Sequence, residues 1–326
     1  MYLDSESILT LQNLRGFGAA AIDAVCAAVV RLDLSVRTPN DLYGLLDELI
    51  ARRTLKRVSL PEKDDFSEVA RRVHRLLEKS EALGIGYVCR LDERFPHRLF
   101  ETVDEKGKPA VPHVIFYKGD LSILDRPSLA VIGTREPTAE GKAAGEYYAK
   151  TFASLGVNIV SGLALGCDTA GHKGAIAGGG LTTAVLAHGL DTIYPPENED
   201  LAAKILETGG LLLSEYPVGT PVNRYNLVAR DRIQAGLSGA VLVIQTKIHG
   251  GTMHAVRAAQ SMGKPVLVVD YKEDLGDVIA GNRFLKAQEN GGAAGLRATA
   301  EQIRAEKEKY LSFFAGKGEE SALTLF

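Results

Sequence analysis

The 326-residue sequence lacks several residue types and segments that would fix its class. It has no tryptophan, and its three cysteines (Cys26, Cys89 and Cys167) lie far apart, without a CxxC pair or a neighbouring cysteine–histidine cluster. A disulfide framework and a metal site are therefore not expected. It also lacks an 18-residue apolar run and a basic start followed by an apolar stretch. We therefore expect a soluble, cytoplasmic protein with no membrane partner.

The sequence has no excess of positive charge, because 38 lysines and arginines stand against 41 aspartates and glutamates, for a net charge of −3. Any nucleic-acid site must therefore be a local patch. Two familiar phosphate-binding patterns are also missing, the GxxxxGK[ST] loop and a GxGxxG segment after the first predicted strand of the sheet. These absences disfavour a P-loop ATPase and an ordinary dinucleotide-dependent dehydrogenase, and we expect no cofactor.

The pattern of apolar residues along the sequence changes near Gly84. Residues 1–83 predict a small helical domain, because they combine an alanine-rich run with leucines at helical spacing. From 84 to 300, apolar runs alternate with helical patterns, which predicts a Rossmann-like α/β domain with a doubly wound parallel sheet. The charged segment 301–326 predicts a flexible tail. The predicted strands of the sheet are 129–132, 157–160, 182–186, 211–213, 240–244 and 265–269.

The loops that follow the predicted strands are rich in glycine and small polar residues. They are GTREPTAEG (133–141), SGLALGCDTAGHKGA (161–175), HGLDTIYPPENED (188–200) and QTKIHGGTMHA (245–255). The carboxyl ends of parallel strands share one edge of the sheet, where glycine backbone and helix N-termini favour anions. We therefore predict a phosphate or nucleotide-chain ligand at this edge, although the glycines could simply make tight turns. Five side chains would add positive charge there: Arg135, Lys173, Arg230, Arg232 and Lys247.

Two residues in these loops allow a chemical or a structural interpretation. His172 is favoured as a structural or phosphate-facing group over a metal ligand, because no metal-ligand spacing surrounds it. Ser161 precedes Gly162 at a strand end, which weakly resembles a nucleophile elbow. Because the GxSxG pattern is missing, capping or turn formation is the favoured role of Ser161.

Six long segments follow one another at a characteristic spacing between residues 85 and 300. They are VIGTR, NIVSGLALGCDTAGHKGAI, GGLTTAVLAHGLDTIYPPEN, GGLLLSEYPVGTP, ARDRIQAGLSGAVLVIQT and GGTMHAVRAAQSMGKPVLVV. In this order they resemble the DprA/Smf family of DNA-processing proteins. The resemblance implies a single-stranded DNA-binding protein, not an enzyme, that helps to load the RecA recombinase in DNA recombination, as in natural transformation and competence. The fold that it implies often forms a homodimer.

The binding motifs of this family correspond to individual residues here. A Gly-Ser-Arg element corresponds to Gly133, Thr134 and Arg135, and Arg135 is the implied phosphate contact. An Arg-Asn-Arg element corresponds to residues 230–232. The resemblance and the loop composition together define these DNA- or phosphate-binding candidates: Gly133, Thr134, Arg135, Ser161, Gly162, Gly166, Asp168, His172, Lys173, Arg230, Arg232, Lys247, Gly250, Gly251 and Thr252.

Three positions depart from the family pattern. Cys167 replaces an isoleucine, Asp231 replaces an asparagine, and Gln245 stands where the family usually has glutamate. Asp231 adds a negative charge where a phosphate would approach, whereas Gln245 removes one. The alternative to single-stranded DNA is therefore a nucleotide-derived small molecule, bound by a sensor.

Single-strand binding also needs surfaces on which bases stack. Tyr194 and Tyr225 are the nearest aromatic candidates, and the alternative is that each packs partly buried. Because aromatic residues make up only 6% of the chain, stacking should be sparse. Binding should then depend on phosphates and weaken steeply with salt.

A hydrolase of nucleoside monophosphates is another alternative, because the wider superfamily contains such enzymes. Their signature resembles Pro-Gly-Gly-x-Gly-Thr-x-x-Glu, and its final glutamate is catalytic. When this signature is aligned on Gly251 and Thr252, the catalytic position falls at Ala255. Alanine cannot act as an acid or a base, so the enzyme interpretation is disfavoured.

Both ends of the chain carry short motifs. LRGFG (14–18) resembles the hairpin of helix-hairpin-helix modules, whose backbone N–H groups bind a phosphate, with a plain helical packing module as the alternative. At the other end, Leu323, Leu325 and Phe326 resemble the anchors of the Gln-Leu-Ser-Leu-Phe peptide that docks in the bacterial sliding clamp. Apolar anchors on a mobile tether suit an apolar pocket, so the clamp is a predicted partner, with a frayed or self-docked terminus as the alternative.

Overall fold

A computed structural model describes residues 3–104, 106–288 and 292–316. The chain divides into two compact units, Met1–Phe95 with Pro112–Phe116 and Pro96–Val111 with Tyr117–Phe326. Within the described ranges, no helix combines the length and apolar character needed to cross a membrane. The same ranges contain no group of three or more histidine, cysteine or acidic side chains placed to hold a metal ion.

The first unit contains four helices followed by a short strand. These elements are α1 (Ser5–Asn13), α2 (Ala19–Arg31), α3 (Pro39–Ala51), α4 (Lys63–Ala82) and β1 (Gly86–Cys89). Thr38 and Asp41 form a reciprocal capping box at the start of α3, which satisfies backbone N–H groups that the helix itself leaves unpaired. Gly16 adopts a φ of +87° in the hairpin between α1 and α2, a backbone conformation that favours glycine.

Strands and helices alternate through the rest of the chain. The strands are β2 (Val114–Gly119), β3 (Ser128–Ile132), β4 (Asn158–Ser161), β5 (Thr182–Leu186), β6 (Leu211–Ser214), β7 (Ala240–Val243), β8 (Val266–Val269) and β9 (Ala294–Leu296). The helices are α5 (Ala139–Ala153), α6 (Cys167–Ala177), α7 (Glu199–Glu207), α8 (Arg224–Leu237), α9 (Thr252–Ser261), α10 (Ala280–Lys286), α11 (Ala300–Ala305) and α12 (Lys307–Phe314).

Strands β3 to β9 pair in parallel, in the order β6-β5-β4-β3-β7-β8-β9. Ala130 in β3 is in register with Val160 of β4 on one side and with Val241 of β7 on the other. The chain thus winds outward in both directions from β3, and the strand order reverses between β3 and β7. The doubly wound parallel sheet predicted from the sequence is confirmed, and ligands bind such sheets at the reversal point.

Alternate residues of the central strands enter two separate apolar clusters. Leu129 and Val131 face a cluster that includes Phe152, whereas Ala130 and Ile132 face a cluster that includes Val256. These four side chains of β3 are at most 4% exposed. Burial on both faces explains why the strands are continuous apolar runs rather than alternating ones.

The prediction of a flexible tail from residue 301 needs correction, because helices α11 and α12 occupy Ala300–Ala305 and Lys307–Phe314. Tyr310 and Phe314 are buried, with ring centroids 5.4 Å and 5.1 Å from that of Phe152. The many charged residues of this segment obscured, in the sequence, the apolar face that Tyr310, Phe313 and Phe314 form on α12. The clamp-binding anchors Leu323, Leu325 and Phe326 lie outside the described residues, so that prediction stays untested.

Candidate nucleic-acid interface

A cavity of about 470 Å³ opens at the carboxyl ends of β3 and β7, where the strand order reverses. Its walls come from the loops after these two strands, from the cavity-facing side of α8 and from the first turn of α9. A backbone hydrogen bond of 2.8 Å, from Thr134 N–H to the carbonyl of Gln245, joins the two loops. The cavity therefore lies at the sheet edge that the sequence predicts for the ligand.

Two of the predicted glycines allow the loops around this cavity to pack closely. A Cβ atom on Gly133 would lie 2.5 Å from Cys167 Sγ. Gly166 has a φ of +80°, and a Cβ atom there would lie 2.5 Å from the carbonyl oxygens of Thr134 and Arg135. Both positions thus require glycine for packing, which supports the tight-turn interpretation for these residues.

Three exposed cationic side chains, Arg135, Arg224 and Lys247, form the rim of the cavity. Lys247 Nζ lies 3.7 Å from a carboxylate oxygen of Asp277, in a solvent-exposed pair that contributes little energy. Glu136 also lines the rim. Arg224, the first residue of α8, is not among the residues predicted from the sequence. Its position at the start of a predicted helix beside the sheet edge is the sequence feature that could have identified it.

The floor of the cavity is built around Arg230, which is only 5% exposed. Its Nη1 donates to the carbonyl of Gly162 (2.8 Å) and to that of Val185, and its Nε donates to Asp231 Oδ1 (3.2 Å). A Cβ atom on Gly162 would collide with this guanidinium group. Arg230 therefore ties α8 to the ends of β4 and β5, and these contacts use its Nε and Nη1 donors.

Two carboxylates accompany Arg230 on the floor. Asp168 Oδ2 accepts hydrogen bonds from the backbone N–H groups of Gly162 (3.1 Å) and Ala164 (3.3 Å), yet burial raises its pKa. Burial also raises the pKa of Asp231 to about 6; the neighbouring Arg230 opposes this shift and Asp168 adds to it. One buried cation thus faces two acids, so the floor differs in charge from the cationic rim.

Several predicted candidates lie outside this cavity. Ser161 is buried, and its Oγ donates to the carbonyl of Val131 (2.7 Å). His172 is buried 2.7 Å from Thr182 Oγ1, and burial lowers its pKa to about 3, so its ring is neutral. Arg232 binds both carboxylate oxygens of Glu215 at 2.7 Å. Lys173 is exposed on α6 but does not line the cavity.

Two of the three departures from the family pattern are also buried away from the cavity. Gln245 is fully buried: its Oε1 accepts from Thr138 N–H and its Nε2 donates to Thr138 Oγ1, both at 2.9 Å. Thr138 caps α5, so Gln245 fixes the start of that helix. Cys167 is buried too, and burial raises its pKa to about 12. Asp231, by contrast, lines the cavity floor.

Exposed apolar side chains lie next to two residues of the cationic rim, Arg135 and Arg224. Tyr194 is 41% exposed and lines a smaller cavity of about 60 Å³ together with Leu165 and Arg135. Tyr225, in the first turn of α8, is 85% exposed. The large exposure of Tyr225 does not fit the partly buried packing role and leaves its ring available for stacking.

Comparison with known families identifies this architecture. The family model described as DNA recombination-mediator protein A matches residues 86–307. The chain belongs to this family. Protein Smf of Escherichia coli (strain K12) is 38% identical over 177 residues, which are 54% of this chain and 46% of that protein. DNA processing protein DprA of Bacillus subtilis (strain 168) is 32% identical over 223 residues, 68% of this chain and 72% of that protein.

Two solved structures of DprA proteins share the fold. The X-ray structure of DprA from Streptococcus pneumoniae has a TM-score of 0.73 at 27% identity, covering 94% of this chain and 99% of that one. A structure of Helicobacter pylori DprA, described by its single-stranded DNA binding mode, has a TM-score of 0.58 at 28% identity and covers 71% and 97%. The predicted DprA/Smf membership is confirmed, and the E. coli match spans about half of that relative's length.

Proposed function

We propose that this chain binds single-stranded DNA through the strand's phosphates and assists the loading of RecA in recombination or DNA uptake. The observation that carries this proposal is the exposed cationic rim of Arg135, Arg224 and Lys247 at the reversal point of the sheet. The family described as a recombination mediator, and the single-stranded DNA binding of the H. pylori relative, support the same role.

The chemistry of the rim suits a single strand better than a duplex. Exposed guanidinium and ammonium groups bind phosphates of any sequence, and binding then weakens as salt rises. Tyr194 and Tyr225 offer ring faces to bases that are not already paired and stacked. A duplex hides its base faces and would gain only the electrostatic part of this interaction.

The geometry supports a binding role rather than catalysis. Ala255 lines the cavity at the position where the related hydrolases carry their catalytic glutamate. The two acids on the floor are both engaged, Asp168 with backbone N–H groups and Asp231 with Arg230. We therefore propose no hydrolytic step for this site.

Fluorescence anisotropy with a labelled 30-nucleotide single strand and its duplex, at two salt concentrations, tests the proposal. We expect the single strand to bind more tightly and to lose affinity as salt rises. Arg135→Ala should weaken binding, whereas the matched control Arg126→Ala should not, since Arg126 is exposed near the opposite, amino end of β3. Equal binding of both variants would contradict the proposal.

RecA loading needs a separate measurement, because strand binding alone does not imply it. We expect the chain to speed assembly of RecA on a single strand already coated by a single-strand-binding protein. Arg135→Ala should lose this acceleration together with its DNA affinity. Acceleration that persists without DNA binding would show that RecA is engaged elsewhere on the chain.

A small-molecule nucleotide pocket is the second candidate, and the cavity volume of about 470 Å³ favours it. A mononucleotide should then saturate the site and displace the labelled strand. A strand site instead predicts affinity that grows with strand length. Titrating strands of increasing length and one mononucleotide in the same assay separates the two candidates.

A further inference from the structure

The rim and the floor of the cavity differ in the sign of their charge. The rim carries Arg135, Arg224 and Lys247, all exposed. On the floor, Arg230 is opposed by the two carboxylates Asp168 and Asp231. A phosphate that enters the cavity therefore passes from a cationic zone to one where a single cation faces two acidic side chains.

Arg230 already uses its Nε and Nη1 donors within the protein. Its Nη1 is held by the carbonyls of Gly162 and Val185, and its Nε is held by Asp231. The side chain of Asp231 is 18% exposed and lines the cavity beside this guanidinium group. An incoming anion would thus meet the Asp231 carboxylate beside a cation whose Nε and Nη1 donors are already engaged.

We propose that Asp231 excludes phosphate groups from the cavity floor, so that a bound strand holds its phosphates at the rim, and that protonation of Asp231 lifts this exclusion. The inference rests on the proposed function, because it specifies which part of the same site takes the phosphates. The position of Asp231 also explains how an aspartate in place of the family's asparagine can alter the site and leave the fold unchanged. Its carboxylate lines the floor of the cavity.

The charged and titratable groups around Asp231 come from every element that packs against the cavity. They are Arg224 and Arg230 on α8, Asp168 on α6, Arg135 and Glu136 after β3, Lys247 after β7 and His254 on α9. His254 is thus another titratable side chain on the same cavity. A comparison of variants is therefore needed to isolate Asp231. Because burial raises the pKa of Asp231 to about 6, the comparison is practical near neutral pH.

The test measures the affinity for the labelled 30-nucleotide single strand at pH 5.5 and pH 7.5, at fixed ionic strength. The unmodified chain should bind about tenfold more tightly at pH 5.5, the order expected for removing one nearby charge. Asp231→Asn should bind at pH 7.5 as tightly as the unmodified chain does at pH 5.5, and should lose most of the pH dependence. The matched control Glu136→Gln, which removes an exposed carboxylate from the rim, should keep it.

An unchanged pH dependence in Asp231→Asn, with unchanged affinity at pH 7.5, would overturn the inference. Absence of single-strand binding by every variant at both pH values would instead overturn the proposed function. In that case inorganic phosphate serves as the probe in a thermal-shift measurement at pH 7.5. We expect phosphate to raise the Tm of Asp231→Asn but not that of the unmodified chain, and equal shifts would overturn the exclusion.

Discussion

Arginines at the rim and at the floor of the same cavity have different surroundings. Arg135 and Arg224 are exposed at the rim, where solvent and a ligand can reach their guanidinium groups. Arg230 is 5% exposed and donates to two backbone carbonyls and a carboxylate. The residue type alone therefore does not identify a phosphate contact; the partners that already occupy its donors decide whether it binds a ligand or holds the fold.

Because of this difference, substitutions at the rim and at the floor should change different properties, DNA affinity in one case and folding stability in the other. Removing a rim arginine should affect DNA binding and leave the fold intact, since surface substitutions usually change stability by no more than about 0.5 kcal/mol. Removing the floor arginine, Arg230, should affect the fold first. Four predictions, taken from the largest expected effect to the smallest, test this separation.

Arg230→Met should cause the largest loss of stability, about 3 to 5 kcal/mol. The variant would leave Asp168 and Asp231 buried without their cation and the carbonyls of Gly162 and Val185 without its donors. Urea unfolding measures the change, with Arg135→Met as the control that should differ from the unmodified chain by about 0.5 kcal/mol at most. Similar unfolding midpoints for the two variants would contradict the structural role of Arg230.

Lys264→Met should have the next largest effect, about 2 kcal/mol. Lys264 Nζ donates to the carbonyls of Ala235 (3.1 Å), Gly236 (2.5 Å) and Ser238 (2.8 Å), which end the helix that forms the floor. The same urea measurement applies, and Lys173→Met on an exposed position of α6 is the control. Equal stability of both variants would show that water replaces these donors at no cost.

Asp231→Asn should raise stability at pH 7.5, and by much less near pH 4, because burial disfavours the ionised carboxyl of Asp231. The folded pKa of Asp231, about 6, lies above its usual value of 3.8, so the folded chain holds this proton more tightly than the unfolded chain. The ionised carboxyl therefore lowers stability increasingly as pH rises from about 4 to 6, and the loss then persists. Urea unfolding of both proteins at both pH values measures this effect. A smaller gain in stability of the variant over the unmodified chain at pH 7.5 than at pH 4 would contradict the expected sign.

Much of the fold and the position of the site follow from the sequence. The apolar runs 129–132 and 240–244 predict two strands that the structure places side by side, and their glycine-rich loops form the cavity. These signals are local, because burial on both faces of a sheet leaves few choices of residue type. The prediction of Arg135 at the rim rests on the same local signal.

The direction and partners of individual side chains do not follow from the sequence. Arg230 and Arg232 are two residues apart on one helix, yet one lies under the cavity and the other binds Glu215. His172 occupies a predicted ligand loop but packs beneath it, against Thr182. These outcomes depend on contacts with residues distant in the chain, which no local pattern records.

The smallest expected change in stability, and the most direct test of phosphate binding at the rim, belongs to Arg135→Ala. The measurement is the slope of the logarithm of the single-strand association constant against the logarithm of salt concentration, for the unmodified chain, Arg135→Ala and Arg126→Ala. Each lost phosphate contact should flatten this slope by about 0.7 to 1. The account predicts that flattening for Arg135→Ala and an unchanged slope for Arg126→Ala. The same slope and affinity in all three proteins would contradict it.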